Sequence, residues 1–143
     1  MNSNVVSPME RPTLPAAPNT RALTVCLVDD DPSVLKALRR LLRTRAFQVR
    51  TYGSARAFLA TLPDERPACL VLDLQMPEMS GLELHQHLTL AGVNIPTIII
   101  TAHDDGEQRR RCENAGTAAY LLKPLHDAPL FAAIAKALGR VSA

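Results

Sequence analysis

Five short apolar runs, each followed by a stretch of helical period, constrain this chain more than any other feature: "LTVCLV" (23–28), "QVRTY" (48–52), "ACLVL" (68–72), "PTIII" (96–100) and "AAYLL" (118–122). Strand and helix in alternation predict a parallel sheet, because parallel neighbours need a crossover long enough to hold a helix. The first, third and fourth runs are apolar almost throughout, as expected of central strands covered by helices on both faces. "QVRTY" alternates and reads as an edge strand. Right-handed crossovers leave few topologies, and the expected class is a doubly wound α/β sheet of parallel strands in the order 2-1-3-4-5. With 143 residues, 47% hydrophobic and 21% charged, the chain suffices for one compact core.

The helices carry their own punctuation. Asp31 precedes Pro32 as an N-cap, and Val34, Leu35, Leu38, Leu41 and Leu42 share one face, opposite Lys36, Arg39, Arg40 and Arg43. Ser54 precedes a short helix with Phe58 and Leu59, closed by Pro63, and Ser80 with Glu83 forms a capping box for the third. Asp127 is expected to cap the last helix, whose stripe is Leu130, Phe131, Ile134 and Leu138, ending at Gly139. The fourth segment (104–116) has Gly116 as a C-cap but, beyond Cys112 and Ala115, almost nothing apolar to hold it, which predicts a short or mobile helix. Residues 1–21 read as a flexible leader rich in Pro, Asn and Ser, 22–140 as the folded domain and 141–143 as a tail.

A net charge of +2 and 3% aromatics without Trp supply neither a phosphate-tracking field nor a stacking platform, so direct nucleic-acid binding by this segment is not expected. Cys26, Cys69 and Cys112 lack disulfide or zinc-ligand spacing and read as reduced thiols. Without a signal peptide or a membrane-length apolar run, the expected location is cytoplasmic.

Four apolar runs finish on a chemically capable residue: Asp29 and Asp30 after the first, Asp73 after the third, Thr101 after the fourth and Lys123 after the fifth. An open parallel sheet gathers such positions at the carboxyl ends of its strands, where these folds bind ligands. Each has a bland reading on its own. Aspartates are common in turns and helix starts, Thr101 suits a strand, and Lys123 suits a solvated strand end. Asp31 already accounts for the cap, however, which leaves Asp29 and Asp30 for another purpose. Three carboxylates together repel unless a cation joins them, and oxygen donors with room for water suit Mg²⁺. A lysine suits an incoming dianion and a threonine hydroxyl can donate to a phosphoryl oxygen. The set describes phosphoryl transfer to a carboxylate.

The motifs "LVDDDP" (27–32), "LVLDLQMPEMSG" (70–81), "IIITAH" (98–103) and "YLLKP" (120–124) together resemble the receiver domain of two-component response regulators, a flavodoxin-like fold, over about residues 22 to 140. The details "SARAFLA", "MSGLEL" and "GVNIPTIIITAH" are most similar to receivers joined to a LuxR-type helix-turn-helix domain. The resemblance implies a signalling switch rather than an enzyme: Asp73 accepts a phosphoryl group from a sensor histidine kinase or phosphotransfer protein. Asp30, Asp73 and the backbone carbonyl of Gln75 ligate Mg²⁺, with Asp29 helping through water. Lys123 pairs with the phosphoryl group, before a cis bond to Pro124. Thr101 and Tyr120 form the switch, with Thr101 drawn to the phosphoryl group and Tyr120 turning inward. Gln75 and His103 flank the site and could tune phosphoryl lifetime. Output passes to a downstream protein partner, with homodimerisation on phosphorylation one form it could take. The first helix, with its basic face, is where receivers dock on the kinase.

His85 and His87, two residues apart, point to different faces of the third helix and read as solvent-facing or partly buried, and Arg109 to Arg111 read as solvated. Two rival functions stay open: a phosphorylation-independent binding module, and an aspartate-nucleophile phosphatase. The haloacid-dehalogenase type of phosphatase wants a second acid two residues after the nucleophile, where this chain has Gln75.

Overall fold

The computed structural model describes residues 23–62 and 66–139. The leader at 1–21, the tail at 141–143 and the proposed stop at Pro63 lie outside the described residues. Strands and helices alternate throughout: β1 (Thr24–Val28), α1 (Pro32–Arg43), β2 (Gln48–Tyr52), α2 (Ala55–Thr61), β3 (Cys69–Asp73), α3 (Gly81–Leu90), β4 (Thr97–Thr101), α4 (Gly106–Asn114), β5 (Ala119–Leu122) and α5 (Asp127–Ala137). The five strands pair in parallel in the order β2-β1-β3-β4-β5. This is the expected 2-1-3-4-5 sheet, with "QVRTY" at one edge.

Strand alternation sorts the interior into two cores. Val25, Leu27, Val71, Ile98 and Ile100 face α1 and α5, where Leu38, Leu42, Leu130 and Ile134 meet them. Cys26, Val28, Leu70, Leu72 and Ile99 face the other way, toward Phe58, Leu84, Leu88 and Cys112 of α2, α3 and α4. Both faces are therefore buried, and every residue of β3 and β4 is buried.

The caps decide where the helices begin. The Asp31 carboxylate accepts from the Ser33 amide, the Ser54 hydroxyl from that of Ala57, and Ser80 with Glu83 completes the reciprocal box. The expected cap at Asp127 is corrected: His126 occupies the N-cap position without a side-chain hydrogen bond, and Asp127 is the first helical residue, where its charge complements the helix dipole. In α4, Asp105 is a cap that the sequence reading missed, accepting from the amides of Glu107 and Gln108. α4 is short, with Cys112 its one buried residue, and the chain leaves it through Gly116 at φ +87°.

For His85 the expectation is solvent-facing or partly buried. It is buried, and its ring spans from α3 to two other segments. Nδ1 lies 3.2 Å from the Thr97 hydroxyl on β4, and Nε2 lies 2.9 Å from the Ala115 carbonyl at the end of α4. A carbonyl only accepts, so Nε2 carries a proton. The bond supplies to α4 what its missing apolar side chains do not. His87 is exposed.

Candidate phosphoryl-acceptor site

Asp29, Asp73 and Lys123 each continue, two residues on, the strand face of Leu27, Val71 and Leu121, all of which belong to the α1/α5 core. Register between β1, β3 and β4 aligns the strand ends, so the side chains converge beyond the last apolar layer. Asp29, Asp30 and Asp73 each offer a carboxylate oxygen, and these oxygens all lie within 4.8 Å of one another. Asp29 and Asp73 are buried, while Asp30 is exposed. Lys123 Nζ reaches Asp29 Oδ2 at 2.9 Å and Asp73 Oδ1 at 3.4 Å. Its peptide bond to Pro124 is cis.

The electrostatics are unbalanced. Burial first, and then the neighbouring Asp29 charge, push the Asp73 carboxyl up to about 6, against the opposing pull of Lys123. For Lys123, burial acts to lower the ammonium, but the hydrogen bond and charge of Asp29, with Asp73 behind them, hold it above its usual range. Asp29 Oδ1 accepts from the Asp31 amide at 2.9 Å. The buried Oδ2 has Lys123 Nζ at 2.9 Å as its ion-pair partner and no well-aligned hydrogen bond besides. Three converging carboxylates, two of them buried and offset by a single ammonium, fit a small hard cation.

Gly81 makes the close approach, and sequence reasoning had not singled it out. A Cβ here would lie 2.5 Å from the Asp73 carbonyl oxygen, while the Gly81 amide donates to the Leu74 carbonyl at 3.1 Å. The first turn of α3 thus packs on the end of β3 only because the side chain is missing. A glycine at the first position of a helix already well capped was the available signal.

Thr101 lies on the opposite strand face, following Ile99 of the α2/α3/α4 core. Its hydroxyl donates to Gln75 Oε1 at 3.2 Å and accepts from the His103 amide at 3.1 Å. Tyr120 pairs with Ile99 in the adjoining strand and is buried, its hydroxyl without a hydrogen bond. Arg109 covers the ring at 4.6 Å and also approaches Asp104 at 3.9 Å, so the expected solvated run at 109–111 is in part a lid on Tyr120. Gln75 and His103 are exposed. A cleft of about 950 Å³ opens beside them between the β3–α3 loop, α3 and α4; Gln75 lines it and none of the three carboxylates does.

A parallel five-stranded sheet with acids and a lysine at its carboxyl edge defines a class of protein, and the comparisons agree: residues 25–135 match the response regulator receiver domain family, to which the chain belongs. Among curated relatives it is 42% identical over 114 residues to the transcriptional regulatory protein FixJ of Rhizobium meliloti (strain 1021), covering 80% of this chain and 56% of the relative. It is 38% identical over 120 residues to the response regulator protein TmoT of Ectopseudomonas mendocina, covering 84% and 54%. The chain thus spans about half the length of these relatives. Among solved structures, FixJ-N superposes with a TM-score of 0.78 at 40% identity, covering 87% of this chain and 99% of that one. A receiver protein from Burkholderia phymatum does so with 0.74 at 43% identity, covering 83% and 97%. Among the described residues no helix is long and apolar enough to cross a membrane.

Proposed function

We propose that this receiver is a phosphorylatable switch in which Asp73 takes a phosphoryl group from a histidine kinase or phosphotransfer protein. The observation that carries the reading is the convergence of Asp29, Asp30 and Asp73 within 4.8 Å of one another, with Lys123 Nζ 3.4 Å from Asp73 Oδ1. In the transfer, an Asp73 carboxylate oxygen attacks phosphorus and forms the acyl phosphate as the bond to the donor imidazole breaks. The imidazole leaves with the bonding pair and takes up a proton. Asp29, Asp30, Asp73 and the backbone carbonyl of Gln75 would hold Mg²⁺, which when bound neutralises charge on the transferred group. Lys123 supplies the second positive charge, moving from Asp73 to the new dianion. Hydrolysis by water attacking phosphorus ends the state, and we assign the tuning of its lifetime to Gln75 and His103, which flank the site in sequence.

Thr101 then turns its hydroxyl to a phosphoryl oxygen, and Tyr120, on the same sheet face, carries the change to the α4–β5 surface. A difference of a few kcal/mol between two arrangements suffices for such a switch. The basic face of α1 is the surface we assign to the phosphoryl donor. Downstream, the two named relatives are regulators longer than this chain, which matches just over half of each, and the output here is a protein partner or a second copy of the chain. The test is intact-protein mass after incubation with acetyl phosphate, with and without Mg²⁺. One phosphoryl adduct that requires both Mg²⁺ and Asp73 is expected. Undiminished labelling of Asp73→Asn would reject the assignment, and a wild-type chain that neither labels nor binds Mg²⁺ would favour a phosphorylation-independent binding module.

A further inference from the structure

We infer that Gln75 is a positioning residue that holds the switch at rest by occupying the one proton of the Thr101 hydroxyl. The inference rests on the phosphoryl-switch reading above and adds a restraint to it. A threonine hydroxyl has a single proton. Here that proton is donated to Gln75 Oε1 at 3.2 Å, while the oxygen accepts from the His103 amide at 3.1 Å. Donation to a phosphoryl oxygen and donation to Gln75 are therefore mutually exclusive.

The two partners also lie in different directions. Thr101 continues the α2/α3/α4 face of the sheet and Gln75 lines the cleft beside α3 and α4, whereas Asp73 continues the α1/α5 face. To serve the acceptor site the hydroxyl has to turn away from Gln75. The exposed amide then returns to water, which limits the cost of release and makes the restraint reversible. A fully buried partner would lock Thr101; an exposed one biases it.

The experiment is a beryllofluoride titration in saturating Mg²⁺, followed by NMR, on wild type, Gln75→Met, Thr101→Val and the double variant. Beryllofluoride mimics the phosphoryl group without being hydrolysed, so phosphoryl lifetime does not enter. Methionine matches glutamine in length but cannot accept the hydrogen bond. Losing one solvent-accessible hydrogen bond from the resting state predicts affinity about three- to tenfold tighter in Gln75→Met. In the Thr101→Val background the same change is expected to alter affinity by less than about twofold, because no hydroxyl remains to restrain. In the free Gln75→Met protein, the Thr101 methyl signal is expected to shift toward its beryllofluoride-bound position. An unchanged or weakened affinity overturns the proposal, and so does an equal gain in both backgrounds. If wild type itself ignores beryllofluoride, the phosphoryl-site reading fails and this restraint fails with it. Wild-type binding without coupling between positions 75 and 101 rejects the restraint alone.

Discussion

At the scale of single residues, the acid cluster trades stability for chemistry. Asp73 titrates near 6 in the metal-free fold against an ordinary 3.8, because burial and then Asp29 disfavour its charge. A group whose pKa is raised on folding contributes stability that is fully present below its unfolded pKa and lost as pH rises through the folded one. The metal-free domain is therefore expected to weaken between about pH 4 and 6. Asp73→Asn is expected to stabilise it at pH 7 by about 1–3 kcal/mol, with the gain shrinking toward pH 4, as measured by urea denaturation in chelator. Mg²⁺ is expected to reverse the order by stabilising wild type and not the variant. Gly81→Ala makes a separate test. With 2.5 Å between the added carbon and the Asp73 carbonyl, the end of β3 or the first turn of α3 has to move. A loss of about 1–3 kcal/mol is expected, with slower phosphorylation by acetyl phosphate, read by thermal melting and mass. Asp73, Lys123 and Thr101 were legible as candidate site residues because each ends an apolar run. Gly81, His85 and Arg109 act through contacts between different elements, which local patterns only hint at.

Among the elements, α4 stands apart. Sequence predicted its shortness from the lack of apolar side chains, but not what holds it, since the hydrogen bond comes from a histidine on α3, 30 residues from the carbonyl it meets. The one hint was spacing: His85 lies three residues from both Leu82 and Leu88, on the buried stripe of that helix. His85→Ala is expected to speed amide exchange across 106–115 while leaving β3 and β4 protected, and to cost about 1–3 kcal/mol. Exchange that accelerates uniformly through the sheet would instead make His85 a general core residue. The caps at Asp31, Ser54 and Ser80 were readable because they are local. Asp127 misled for a related reason, being an acid one position too late, where it favours the helix start without closing the cap.

For the whole molecule, apolar continuity marked the central strands and alternation the edge strand β2, and the two-sided burial of β1, β3 and β4 bears that out, while the strand order is the one expected of the doubly wound class. The same sheet closes two cores, one under α1 and α5 and the other under α2, α3 and α4. Because each central strand serves both, they are expected to melt together. Leu42→Ala in one core and Leu84→Ala in the other each remove a fully buried side chain and are each predicted to cost about 2–5 kcal/mol. Far-ultraviolet circular dichroism and tyrosine fluorescence are expected to report the same single transition for both. Two separated midpoints would show that the layers fold apart.

The hydrogen bond that anchors α4 closes on the backbone carbonyl of Ala115. A tether made to the main chain is indifferent to which residue supplies it. The outward residues of this helix are thus free to diversify, and a lineage could rewrite that surface for a new correspondent without first inventing a new way to keep it attached.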